Sequence, residues 1–143
     1  MNAASLAPAR TPFPRVLRVL FAAYAVASLI HFAHNAAFLA DYPHLPRTWT
    51  PAGVMLAWIA VSVIGALAAL LLVRGYTKTG LCVALIYAAC GLDSLGHYVL
   101  APLALHTQAM NATILIEVAC AALLFGAALR ELARSVFGRS SRA

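Results

Sequence analysis

The chain has 143 residues, of which 64% are hydrophobic and only 10% are charged. A soluble domain carries about 25% charged residues, so this composition excludes a typical soluble enzyme or nucleic-acid-binding domain. The formal net charge is +6, from ten basic and four acidic residues. A basic excess of this size could indicate an anionic partner such as nucleic acid or lipid. The positions of the basic residues along the chain decide between these.

Four long apolar segments, separated by short polar breaks, dominate the sequence. They cover about residues 16–40, 52–73, 80–100 and 111–129. Each has the ~17–25 residues that a helix needs to cross the hydrocarbon core, and helices satisfy their backbone polar groups within one segment. A soluble four-helix bundle would need a polar face on every helix, whereas the second segment has Ser62 as its only polar side chain besides Trp58. We predict an all-α polytopic membrane protein, a four-helix antiparallel bundle.

The basic residues predict how this bundle is oriented. Nine fall on one side of a four-span arrangement: Arg10, Arg15, Arg18, Arg74, Lys78, Arg130, Arg134, Arg139 and Arg142. Only Arg47 falls on the other side. Positively charged segments stay in the cytoplasm, so we predict an inner-membrane protein with a cytoplasmic tail (1–15), a transmembrane domain (16–129) and a basic cytoplasmic tail (130–143). This asymmetry explains the net charge, and we expect membrane lipids, not nucleic acid, as partners.

One alternative concerns the first apolar segment. Residues 25–27, with the sequence Ala-Val-Ala, follow three arginines and an apolar stretch, a pattern that resembles a signal-peptidase site. The apolar segment nevertheless continues without interruption to Leu39, which is long enough for a full span. We favour a retained first span. Cleavage is the alternative, and it would leave the histidines of this segment near a new N-terminus.

Local signals predict where the helices begin and how they connect. Thr50, which a proline follows, suits an N-cap, and Thr107 is expected to cap the fourth helix. The short Arg74–Thr79 connection predicts that the second and third helices are antiparallel neighbours. Tyr42 and Trp49, between the first and second spans, are expected in the interfacial aromatic belt.

Five ionisable side chains lie inside the predicted spans, with no Lys or Arg beside them: His31, His34, Asp93, His97 and Glu117. A charged Asp at the bilayer centre costs ~2.5–3.5 kcal/mol on insertion scales, so such residues indicate a functional site. They lie on polar stripes of the first, third and fourth helices, with Asp93 and His97 one turn apart. At 1.5 Å rise per residue they lie ~10 Å below the outer boundary. We predict that they converge in one pocket open to the outer side.

Two carboxylates in one pocket need a balancing charge or a shared proton. Carboxylates and neutral imidazoles together form a suitable ligand set for Zn²⁺, Fe²⁺, Mn²⁺ or Cu²⁺. We therefore predict that His31, His34, Asp93, His97 and Glu117 are metal ligands. Asp93, Glu117 and His97 are also the predicted acid–base groups of any reaction.

These observations predict a small integral membrane protein that binds a divalent metal ion or performs acid–base chemistry on a small or lipid-soluble ligand. Its substrate, and whether it is an enzyme, stay open. One alternative is a proton-coupled transporter component, which at four spans would need a homo-oligomer. Another is a haem b protein with His31 or His34 opposite His97, although two nearby carboxylates disfavour haem. The last is an accessory subunit whose polar residues only hold the helices together.

Overall fold

A computed structural model of the chain describes residues 13–137. Its α-helices are α1 (Arg15–Ala37), α2 (Pro51–Val73), α3 (Thr77–Leu92), α4 (Gly96–Leu100) and α5 (Gln108–Phe137). Short 3₁₀ turns occupy Leu39–Asp41, Asp93–Leu95 and Leu103–Leu105. The predictions for most of the N-terminal tail and for the end of the basic tail lie outside the described residues.

Four helical stretches are long and apolar enough to cross a membrane: Arg15–Ala37, Pro51–Val73, Thr77–Leu100 and Gln108–Phe137. The predicted all-helical chain with four such helices is confirmed. The main difference in the bounds is that α5 continues to Phe137, past the predicted end at residue 129. Arg134 donates a hydrogen bond of 2.9 Å to Glu131, and Leu132 packs against the core, so both polar and apolar contacts support the extra turns.

The predicted helix starts are also confirmed. The Gly53 amide donates to the Thr50 hydroxyl oxygen at 3.0 Å, and Pro51 opens α2. The Met110 amide donates to the Thr107 hydroxyl oxygen at 3.2 Å at the start of α5. Each threonine therefore accepts one of the amide hydrogens that a helix N-terminus leaves unpaired.

The four spans surround one core. α1 packs against α2 and α5, and α3 also packs against α2 and α5. The connection between α2 and α3 is only three residues long, 74–76, so these helices are antiparallel neighbours, as predicted. We call the opposite end of the bundle, which carries the 38–50 and 101–107 connections, the loop end.

Two tyrosines fill the centre of the core. The rings of Tyr24 (α1) and Tyr87 (α3) lie 4.5 Å apart, both buried, and the Tyr24 hydroxyl donates to the Tyr87 carbonyl at 3.3 Å. Glycines make room for both rings. A Cβ atom at Gly65 would lie 2.6 Å from the Tyr87 ring, and one at Gly91 would lie 2.5 Å from the Tyr24 ring.

Replacing Gly65 with alanine is expected to lower the free energy of unfolding by about 1 kcal/mol, because the new methyl group must displace the Tyr87 ring. Thermal unfolding in detergent, followed by circular dichroism, measures the change. Gly126→Ala is the matched control, because among the described residues nothing lies within 4 Å of that Cβ position. Its higher helix propensity predicts a gain of about 0.5–1 kcal/mol. Equal changes for the two variants would contradict the packing of Tyr87 on Gly65.

The third span is not one continuous helix, which differs from the prediction. α3 ends at Leu92, a 3₁₀ turn occupies Asp93–Leu95, and α4 completes the span. In a 3₁₀ turn residues i and i+3 eclipse, so Ser94 and His97 come to share a face. The continuous α-helical register that the sequence predicts between Asp93 and His97 is therefore interrupted. Asp93 is exposed, whereas Ser94 and His97 are partly buried.

Candidate functional site

A histidine and a glutamate form a buried pair in the loop-end half of the bundle. His31 of α1 is 2% exposed and Glu117 of α5 is fully buried. His31 Nε2 lies 3.8 Å from Glu117 Oε2, which is within ion-pair range but too long for a direct hydrogen bond. Such a pair avoids an unbalanced buried charge when it holds one proton between the two groups.

The Glu117 carboxyl group is held by the 3₁₀ turn of the third span. The Ser94 hydroxyl donates a hydrogen bond of 2.7 Å to Glu117 Oε2. The other oxygen, Oε1, is buried and lacks a hydrogen bond of standard geometry within residues 13–137, as does the hydroxyl of buried Ser28. The break in the third span thus brings a hydroxyl to a carboxyl group on a neighbouring helix.

Hydrogen bonds on the far side of the His31 ring determine where its proton lies. The Thr113 hydroxyl donates to the Met110 carbonyl at 3.0 Å, so its oxygen accepts from His31 Nδ1, 3.4 Å away. Nδ1 therefore carries a hydrogen. In the neutral ring the Nε2 lone pair then faces Glu117, ready to receive a proton from that side.

A second histidine adjoins this pair. The rings of His31 and His97 (α4) meet edge to face, with centroids 5.4 Å apart. The side-chain amide of Asn35 donates to His97 Nε2 at 3.4 Å. His97 Nδ1 has no hydrogen-bond partner in the described part of the chain. Three of the five predicted site residues, His31, His97 and Glu117, are thus brought together.

A cavity of about 900 Å³ lies beside this group, between α1, α2 and the region of α3 and α4. Its apolar lining is formed mainly by Val54, Ala57 and Val61 of α2 together with Phe32 of α1. Its polar lining residues outside the 38–50 connection, which we call the polar wall, are chiefly His31, Asn35, Asp93, Ser94 and His97. The cavity is therefore amphipathic: most of its lining is apolar, and a smaller part offers hydrogen-bonding groups.

The other two predicted site residues have different surroundings. Asp93 belongs to the polar wall, but within residues 13–137 its carboxylate has no hydrogen bond and no Lys or Arg partner. His34 does not line the cavity; its Nδ1 lies 2.9 Å from the hydroxyl oxygen of Tyr42. Glu117 does not line the cavity either, but it contacts His31 and Ser94, which do.

The metal-ligand prediction finds no support in these positions. Among residues 13–137, no group of three or more His, Cys, Asp or Glu side chains is arranged to hold a metal ion. The predicted ligands are instead divided among different partners. His34 bonds to Tyr42, Glu117 accepts from Ser94 and faces His31, and Asp93 has no hydrogen-bond partner within residues 13–137.

Tyr42 and His106 are the site residues that the sequence did not predict correctly. Tyr42 was expected at the membrane interface but is only 4% exposed, and it packs against the rings of His34, His97 and His106. Burial raises the pKa of the Tyr42 hydroxyl, so it stays protonated and donates to His34 Nδ1. His106 is also buried, at 6% exposed, and its Nδ1 donates to the Pro102 carbonyl at 3.2 Å.

Comparisons with protein-family models, with curated proteins and with solved structures find no match for this chain. The four apolar helices and the buried His31–Glu117 pair are compatible with a small membrane protein. The geometry of the cavity and its polar wall is therefore the basis for any more specific function.

Proposed function

We propose that this chain is an integral membrane protein that binds a lipid-soluble molecule in the cavity between α1, α2 and the region of α3 and α4. The ligand's apolar body would lie against α2, and its polar end would meet the polar wall. The amphipathic lining of this cavity is the observation that supports the proposal best. Small-molecule sites are typically about 300–1,000 Å³ in volume, mostly apolar and provided with a few converging polar groups.

Two exposed lining residues support entry into the cavity from the bilayer. Val99 is 87% exposed and Trp49 is 49% exposed, so the cavity reaches the outer surface of the bundle. In a membrane this lateral surface contacts acyl chains, from which a lipid-soluble molecule can enter without crossing the aqueous phase. Thr48 and Thr50 line the same mouth and offer hydroxyl groups near the loop end.

The His31–Glu117 pair is proposed as the acid–base part of the site. His31 belongs to the polar wall, and Glu117 stands directly behind it, so a proton can move between Nε2 and Oε2 without changing the net charge of the pair. The 3.8 Å separation requires a small side-chain movement before such a transfer. His97, edge to face with His31, would present its free Nδ1 to the polar end of the ligand.

We also propose that the loop end faces the outer side of the inner membrane, with both chain termini in the cytoplasm. The nine basic residues on the side of the termini, against Arg47 alone at the loop end, support this orientation. The cavity and the His31–Glu117 pair would then lie in the outer half of the bilayer.

If the cavity binds a ligand, a large side chain introduced into it is expected to abolish that binding. Ala57→Trp places an indole against the polar wall, whereas Ala60→Trp changes the same helix at an exposed position that does not line the cavity. Protein extracted in native-membrane discs is expected to carry a lipophilic compound that mass spectrometry of organic extracts detects in the parent and in Ala60→Trp, and that falls to background in Ala57→Trp. The two variants add the same side chain, so general effects of tryptophan cancel.

Equal recovery of every extracted compound from the two tryptophan variants would contradict ligand binding in this cavity. The same preparations separate the alternatives. A haem absorption band, or one equivalent of a transition metal that is lost in His97→Ala, would favour the haem or metal prediction. The transport and accessory-subunit hypotheses stay predictions.

A further inference from the structure

Asp93 introduces a charge into a cavity that is otherwise neutral or apolar. It is the only carboxylate among the described residues that line the cavity, and none of these residues is Lys or Arg. Two titratable neighbours, Cys90 and His97, are close enough to interact with it electrostatically. Cys90 is a thiol, and the side-chain amide nitrogen of Asn35, a donor, faces His97 Nε2 at 3.4 Å, a geometry that suits a neutral imidazole. Within residues 13–137 no Lys or Arg pairs with Asp93.

An unpaired carboxylate beside apolar helices is costly at membrane depth. Asp93 lies seven residues before the end of the Thr77–Leu100 span, well inside it. A positive group supplied by the ligand would remove this cost, because opposite charges attract strongly where little water screens them. Trp49 and Phe32, which also line the cavity, offer aromatic faces that attract organic cations.

We infer that the natural ligand of the cavity is a lipophilic cation, such as an amphipathic amine or ammonium compound, whose positive group pairs with Asp93. This inference rests on the proposed function and makes it more specific. The apolar side of the cavity would select the hydrophobic body, and Asp93 would select the charge. A lipophilic anion of the same shape would meet repulsion from the same carboxylate.

Rigid phenyl-substituted probes of different charge test this preference. Purified protein in zwitterionic phosphatidylcholine nanodiscs is dialysed against tetraphenylphosphonium, neutral triphenylphosphine oxide or tetraphenylborate, with empty nanodiscs as background. We expect saturable binding of the cation, weaker binding of the neutral probe and no saturable binding of the anion. This comparison uses the parent protein alone, so it does not depend on the folding of any variant.

Variants locate the preference at Asp93. Asp93→Asn is expected to weaken tetraphenylphosphonium binding by about tenfold or more, and so to remove the preference for the cation over the neutral probe. Asp41→Asn is the matched control, because Asp41 is an exposed acid at the loop end that does not line the cavity. It should alter neither probe, and Asp93→Glu should keep the preference for the cation.

The outcomes separate this inference from the function on which it rests. If the neutral probe binds and Ala57→Trp abolishes its binding, but cation and anion bind alike or Asp93→Asn has no effect, the cation inference is wrong and the cavity remains a ligand site. If no probe binds saturably to the parent protein, both the inference and the proposed ligand cavity are contradicted.

Discussion

Replacing Glu117 with leucine is expected to lower the free energy of unfolding by about 3 kcal/mol, since a buried imidazole and a partly buried hydroxyl lose their partner at once. The Ser94 hydroxyl would lose its acceptor at 2.7 Å, and His31 Nε2 would face a hydrocarbon. Leucine cannot compensate by hydrophobic burial, because the site surrounding Glu117 is polar on two sides. Thermal or denaturant unfolding in detergent, followed by circular dichroism, measures the loss.

Glu117→Gln separates the structural role of this residue from its acid–base role. The glutamine amide keeps the shape, its oxygen can accept from Ser94, and its NH₂ group can donate to His31 Nε2. We expect stability within about 1 kcal/mol of the parent. Glu131→Gln is the control on the same helix, because Glu131 forms solvent-accessible ion pairs with Arg130 and Arg134, and such pairs contribute little.

The result with glutamine also decides between two hypotheses for the pair. If Glu117→Gln folds normally but cannot support proton transfer, Glu117 is retained for chemistry. Should Glu117→Gln unfold as readily as Glu117→Leu, while the leucine variant still binds every ligand of the parent, the pair would serve only to hold α1 and α5 together. The proposed acid–base role would then be wrong.

The helices of this protein were predictable because their signals are local. Apolar length determines that four segments can span a membrane, and a threonine such as Thr50 marks a helix start through contacts within four residues. The same periodicity placed His31 and Glu117 on the inner faces of their helices, where each is buried. Residues separated by one helix turn share a face whatever lies around them, so this part of the site needed no tertiary information.

The remaining features depend on contacts between distant segments. The turn at Asp93–Leu95 is stabilised by Ser94 bonding to Glu117 on another helix, which no sequence period encodes. Asp93 lies in this turn and His97 follows it, and both line the cavity. Likewise, the partner of His34 is a loop residue, Tyr42, whose position depends on how the loop folds back onto the helices.

The loop that follows α1 is expected to be as important for stability as the helices it joins. Tyr42→Ala should lower the free energy of unfolding by about 3 kcal/mol or more, because it removes a buried aromatic ring and leaves a void among three imidazoles. Met110 and Ile114 of α5 pack in the same cluster and would lose contacts as well. Such a loss is unusual for a loop residue and would establish that the connection is part of the core.

Tyr42→Phe isolates the contribution of the hydroxyl group. It keeps the ring against His97 and His106 but removes the 2.9 Å hydrogen bond to His34. We expect a loss of about 1 kcal/mol, one third of the effect of alanine. Trp49→Ala, in the same loop but half exposed, should cost less than about 1 kcal/mol. If Tyr42→Ala were as mild as Trp49→Ala, Tyr42 would belong to an interfacial aromatic belt and not to the core.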